Sequence, residues 1–144
     1  MSRKKTYNLA RVIMTVNGVP MSGFGESDAA KWEPNSDIWE TTVGADGELT
    51  RNKTNDDSGK LTFTFSKMSM SNGVLNVFLQ LAKNLGIGDT FTIMINDLNG
   101  GDKLIAIDCY IEREPDLSFG KTAGDKEWII KTPSGKTSHG GSLI

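Results

Sequence analysis

The residues able to do chemistry are few in this chain, and they are scattered. Asp56 and Asp57, beside Ser58 and Gly59, form an adjacent carboxylate pair of the kind that binds a cation or shares a proton. Neighbours on a polar, Gly-flanked segment read instead as a solvated turn. Asp97, Asn99 and Asp102 offer oxygen ligands in a Gly-rich loop. A calcium loop needs a longer ligand series ending in a bidentate Glu, between helices, whereas these flanks read as strands. Gly23-Phe24-Gly25 is not followed by a helix or by a Gly-Lys-Ser/Thr step, so it is no phosphate loop. Asn52-Lys53-Thr54 is a formal glycosylation sequon without a secretory context.

The nucleophiles and metal ligands are equally sparse. Cys109 is the only cysteine, which excludes an internal disulfide framework and a cysteine-based zinc site. It alternates with Ile107 and Ile111 and reads as a small buried hydrophobe rather than a nucleophile. The single His139 lies in a Gly/Ser-rich stretch, remote from any serine arrangement resembling a triad. Phe63, Phe65 and Tyr110 are placed to stack bases on a sheet, but the two phenylalanines share a face with Leu61 and read as core. No enzyme, cofactor or metal is expected.

Composition points the same way. The chain has 144 residues, enough for one domain with a proper core, and 16 of them are glycine. The net charge of −2 supplies no basic field for nucleic acid. The start, Ser2-Arg3-Lys4-Lys5, is basic and reads as a solvated terminus, since no apolar signal core follows. No apolar run approaches the roughly 20 residues needed to span a bilayer. The expectation is a soluble protein made in a reducing cytoplasm.

The elements follow from periodicity. Residues 8–17 alternate as a strand, with Ala10, Val12, Met14 and Val16 on one face. Asn17-Gly18 predicts a hairpin returning through Val19 and Met21. Residues 22–30 read as loop, and Lys31-Trp32-Glu33-Pro34 as a short edge strand, because Pro34 cannot donate to a ladder. A strand is expected over 38–43, a turn at Gly44-Ala45-Asp46-Gly47, and a polar arm over 48–55. Residues 60–67 alternate strictly, with Leu61, Phe63 and Phe65 inward and Lys60, Thr62, Thr64 and Ser66 on a solvent-facing wall.

One helix is expected after a cap at Ser71 or Asn72, ending at Gly86. Its apolar stripe is Val74, Val77, Phe78, Leu81, Ala82 and Leu85, widened by Leu75 and Leu79. Strands follow at 90–96, 103–113 and 126–132. The second of these has Ile105, Ile107, Cys109 and Ile111 on one face and Leu104, Ala106 and Tyr110 on the other. After Pro133 the composition suggests a mobile tail over 133–144. The sum is a mainly β domain over 1–132: an antiparallel β-sandwich or barrel of about seven strands, one packed α-helix and a protruding polar arm. Strands with apolar residues on both faces ask for cover that one helix cannot supply, so neighbouring subunits are expected to provide it.

The chain resembles the tail tube proteins of contractile-tailed bacteriophages. The residues that carry the resemblance are Thr42-Val43-Gly44-Ala45-Asp46-Gly47-Glu48, Pro115-Asp116-Leu117-Ser118-Phe119-Gly120 and Glu127-Trp128-Ile129-Ile130. It covers about 7–132, including the order of strands, arm, helix and final strands. It implies a virion protein assembled in a bacterial host cytoplasm, forming hexameric rings that stack into a tube. DNA would pass through the lumen without sequence-specific binding. A tail sheath protein, a tape-measure protein and baseplate proteins would be its partners, and a membrane would not. The inner tubes of R-type bacteriocins and type VI secretion share this implied fold. On this reading Gly44, Asp46, Gly47, Glu48, Leu49, Arg51 and Lys53 belong to a subunit or ring interface, with Gly44 and Gly47 turning the chain at the arm's base. The alternatives are a tube-initiating or tail-terminating protein, a bacteriocin inner tube, and a barrel-type binding module for a small ligand or single-stranded nucleic acid.

Overall fold

The computed structural model describes residues 8–25, 29–122 and 124–141. The basic start at Ser2-Arg3-Lys4-Lys5 and the loop residues Glu26, Ser27 and Asp28 lie outside them. A single 3-10 turn, Leu9–Arg11, leads into β1 (Val12–Val16) and β2 (Val19–Pro20). The turn between these strands is built as Asn17-Gly18 predicts, with φ of 48° and 82°, the left-handed pair that two-residue hairpins require. β3 (Ala30–Pro34) is followed by β4 (Trp39–Val43), β5 (Leu49–Lys53), β6 (Gly59–Ser66), helix α1 (Ser71–Asn84), β7 (Phe91–Asp97), β8 (Lys103–Arg113), β9 (Asp125–Thr132) and β10 (Ser134–Ser138). All strand pairs are antiparallel, in the order β2-β1-β7-β8-β9-β6-β3, and β10 also pairs with β8. Among the described residues there are thus ten strands, more than the seven expected, but the mainly β sandwich with one helix is as read.

Strand β8 joins the two layers. Its first half pairs with β7 and β10, and its second half with β9. Phe91 stands opposite Cys109 but Ile93 stands opposite Ala106, so β8 carries one extra residue between them. Asp108 absorbs that residue at φ 56°, a bulge that bends the strand and reverses its faces. The expected alternation therefore fails midway. Leu104, Ala106 and Cys109 are buried together, Ile111 packs against them, and Ile105, Ile107 and Tyr110 are exposed.

The core between the layers is formed by Met14, Val16, Leu61, Phe63, Phe65, Ile93 and Ile130, with Phe24, Phe63 and Phe65 stacked at 5.2 and 5.4 Å. Thr64, expected on the open wall, is also buried. Its carbonyl accepts from the Gly25 N–H and its N–H donates to the Ala29 carbonyl, both at 3.1 Å.

Helix α1 closes one end of the sandwich. Leu75 is fully buried, with Val74, Phe78 and Leu79 against the core, and the Phe78 ring lies 4.7 Å from that of Phe91. Val77 and Leu85, expected in the stripe, are exposed: Val77 lies on the outward side of the helix between buried Leu75 and packed Phe78, and Leu85 follows the last helical residue. Neither Ser71 nor Asn72 caps it. Met70 holds the cap position, and the two polar side chains tie the helix to the sandwich instead. Gly86 ends the helix as expected, at φ 69° with its N–H on the Leu81 carbonyl.

The stretch read as a mobile tail begins with strand β10. Lys131 stands opposite Tyr110 and Ser134 opposite Ile107, so β9 and β10 run along one line of β8, interrupted only at Pro133. Backbone hydrogen bonds hold this strand, and composition does not report them. Leu143 and Ile144 lie outside the described residues.

Candidate assembly interface

The arm is a β-hairpin made of β4 and β5, and it forms a two-stranded sheet by itself. The register pairs Trp39 with Lys53, Thr41 with Arg51 and Val43 with Leu49. Strand 38–43 is therefore half of the arm and not part of the body. Gly44, Asp46 and Gly47 sit at the arm's tip, where the sequence reading had put Gly44 and Gly47 at its base. The tip is closed by the Gly47 N–H on the Gly44 carbonyl (2.9 Å), the Gly44 N–H on the Glu48 carbonyl (2.8 Å) and the Glu48 N–H on the Asp46 carboxylate (3.0 Å). Gly47 adopts φ 85°, which a side chain would strain.

Strand alternation gives the hairpin two unlike faces. Trp39, Thr41, Val43, Leu49, Arg51 and Lys53 share one face, and Glu40, Thr42, Glu48, Thr50 and Asn52 the other. Every residue of both strands is exposed. The Arg51 guanidinium lies 4.0 Å from the Trp39 ring centroid, a cation–π contact that stiffens the first face. A two-stranded hairpin with nothing packed on it is marginal in water. This one exposes Ile38, Trp39, Val43 and Leu49, side chains that gain free energy only when covered.

The arm is anchored by a polar clasp. Asp56 accepts hydrogen bonds from Ser36 Oγ (2.7 Å) and from the Ser58 N–H (2.9 Å) and hydroxyl, while Asn35 Nδ2 donates to Ser58 Oγ (2.9 Å). The hydrogen bonds from the Ser58 and Ser36 side chains hold the Asp56 carboxyl down to about 2. Asp56-Ser58 thus has a structural use that explains the acidic turn without a cation.

The remaining candidates take structural places. Asp97 binds the Asn99 N–H at 2.8 Å, which lowers its pKa, and the Gly-rich loop is a hairpin turn between β7 and β8. Cys109 is fully buried, and desolvation pushes its thiol up to about 11, the opposite of an activated nucleophile. Among the described residues no three His, Cys, Asp or Glu side chains are placed to hold a metal ion, and no helix is long and apolar enough to cross a membrane. The end of the sandwich away from α1 has an open cleft of about 340 Å³, lined by Val12, Trp32, Leu61 and Ile95 with Asp97 and Asp102 at its rim.

The described residues thus form a β-sandwich with an end-on helix and an exposed two-stranded arm. The sequence profile of the bacteriophage PhiTE tail tube protein family matches residues 2–137. The chain belongs to that family of structural tube proteins, components of the phage virion. No protein of curated function is similar enough to match. Several solved structures share the fold at low identity. The tube-terminating cap of the anti-feeding prophage is 9% identical, with TM-score 0.62 over 96% of this chain and 95% of that one. A chain of the extended sheath–tube complex of the PVC extracellular contractile injection system is 10% identical, with TM-score 0.63 over 93% and 92%. A chain of the native gene transfer agent virion is 12% identical, with TM-score 0.57 over 93% and 98%.

Proposed function

We propose that this chain is the repeating subunit of the inner tube of a contractile phage tail. Six copies form a ring, rings stack into a tube, and the lumen carries DNA outward without reading its sequence. The arm carries this reading: a tube-family chain extends a hairpin with an apolar face, and none of its described residues covers it. Around the ring, the open edges at β2 and β3 offer unpaired backbone groups through which sheets can continue between copies. Gly44, Asp46, Gly47, Glu48, Leu49, Arg51 and Lys53 form the ring-to-ring contact. A sheath protein surrounds the tube, a tape-measure protein fills it during assembly, and baseplate proteins nucleate it in the host cytoplasm. The sheath–tube complex among the fold's relatives supports the first of these partners.

Fold similarity extends equally to a tube-terminating cap and to a PVC sheath/tube terminator, at TM-scores of 0.62 and 0.60. A terminator makes one ring and stops, whereas a tube subunit adds rings without limit. Negative-stain electron microscopy of the purified chain at rising concentration, with sedimentation alongside, separates them. Hollow tubes of six-fold symmetry are expected. Single rings that never stack would support the terminator, and a monomer that binds oligonucleotide would overturn both.

A further inference from the structure

The 115–120 segment leaves two large apolar side chains uncovered by the described residues. Leu117 is 73% exposed and Phe119 85% exposed. Both are nevertheless held in a defined loop. Lys67 Nζ donates to the Ser118 carbonyl at 2.6 Å and sits 4.8 Å from the Phe119 ring centroid. Glu112, Glu114 and Asp116 flank these apolar side chains with negative charge. Glu114 meets Lys83 at 2.9 Å and Asp116 meets Arg113 at 3.4 Å, both exposed pairs that a new cation can enter at little cost.

The loop lies at the opposite end of the sandwich from the arm. It leads into β9 at Asp125, which pairs with Ser66, the last residue of β6. The arm leaves the body beside Gly59, the first residue of β6. Eight residues of strand separate these points by about 23 Å. One end thus presents an apolar face whose only charges are Arg51 and Lys53, and the other presents apolar side chains beside Glu112, Glu114 and Asp116, the last two paired with Lys83 and Arg113, with Lys67 against Phe119. A stack that grows without closing needs two unlike, complementary surfaces of this kind at opposite ends of one subunit.

We propose that the arm of one copy lays its Trp39, Val43, Leu49, Arg51 and Lys53 face on the 112–119 loop of a second copy in the adjoining ring. This rests on the tube-subunit reading and adds the acceptor surface to it. Val43 and Leu49 cover Leu117 and Phe119, while Arg51 and Lys53 meet Glu112 and Asp116. The arm's second face, with Glu40, Thr42 and Thr50, stays in solvent.

The test is a disulfide trap combined with charge reversal. Leu49→Cys with Phe119→Cys places one thiol on each surface, and buried Cys109 adds no background. The two positions are too far apart to join within one chain, so oxidation should give a ladder of linked copies. Arg51→Glu with Lys53→Glu, and separately Glu112→Lys with Asp116→Lys, should each raise the concentration needed for tubes at least tenfold. Mixing the two variants should restore assembly, because each supplies the surface that the other can bind. Circular dichroism confirms that each variant is folded. Wild-type tubes with no cross-link, and with loop reversal without effect, overturn the acceptor assignment while the tube reading stands. A wild-type chain that forms no tubes even with baseplate proteins added as nucleus, together with a double-cysteine variant that gives no ladder, overturns both.

Discussion

Asn72 is the residue through which α1 is fastened to the sandwich, and Asn72→Ala is the most informative single change. Its Oδ1 accepts from the indole Nε1 of Trp128 at 2.9 Å, and its Nδ2 donates to the carbonyls of Ser66 at 2.9 Å and Ser69 at 3.2 Å. The alanine leaves a buried indole N–H without an acceptor, which costs about 1–3 kcal/mol. The two carbonyls keep other partners, the N–H groups of Ser69 and Asn72, so their loss adds roughly 1 kcal/mol. The sum is about 2–4 kcal/mol. For a chain of this length roughly 4 °C of Tm accompanies each kcal/mol, so a fall of about 8–16 °C is expected. Urea unfolding below the assembly concentration measures it. Trp128→Phe removes the other half of the bond. The double variant should then be less destabilised than the sum of the singles by about 1 kcal/mol or more, as for a direct contact. A loss under about 0.5 kcal/mol for Asn72→Ala, or strict additivity, would refute the view that this bond holds the helix in place.

Four further outcomes follow from the same geometry. Gly59→Ala puts a methyl group 2.4 Å from the Trp32 ring, whose Nε1 is fixed on Thr132 Oγ1 at 2.9 Å; chemical denaturation should show a loss of about 1–3 kcal/mol. Asp108→Val forces a β-branched residue into the left-handed bulge at φ 56°, so about 1–2 kcal/mol should be lost, and Asp108→Gly should not be destabilising on that count. The Asp56 clasp has a pKa lowered from 3.8 to about 2, so its contribution is complete above the unfolded value and is lost as pH falls towards 2. Limited proteolysis of the arm should therefore accelerate over that window, and Asn in place of Asp56 should remove the pH dependence. The Cys109 thiol should resist alkylation in the native protein and react at the rate of global opening, as quenched mass spectrometry would show.

The parts of the fold legible in the sequence are those written in local periodicity. Leu61, Phe63 and Phe65 announce β6, Asn17-Gly18 announces its turn, and Gly86 announces the end of α1 because each signal is complete within a few residues. The misread parts depend on distant chain. No local pattern reports that β8 changes partners at Asp108, so Ile105 and Ile107 looked buried although the bulge turns them outward. Asn72 looked like a cap because it stands at a helix start; only the fold brings Trp128 within reach of its side chain. Strand β10 looked mobile because Ser, Gly, Lys and Thr carry no hydrophobic signal, while its stability comes from backbone pairing with β8.

The arm shows the same division in its sharpest form. The turn at Gly44, Asp46 and Gly47 was legible, but its place at the arm's tip was not, because only the pairing of β4 with β5 shows that 39–43 is half of the arm. The arm's function was less legible, because Val43, Leu117 and Phe119 read as ordinary apolar residues until the fold shows that they are outside the core. A sequence marks hydrophobic side chains without marking the molecule that covers them. When the cover belongs to another copy, the residues that look most like core are the ones the monomer leaves exposed. Their free energy is then absent from monomer folding and appears only in assembly. A substitution such as Phe119→Ser should therefore leave the melting of the isolated chain within about 0.5 kcal/mol, as for an exposed site, while weakening tube growth. Equal loss in both measurements would mean that Phe119 acts within its own chain.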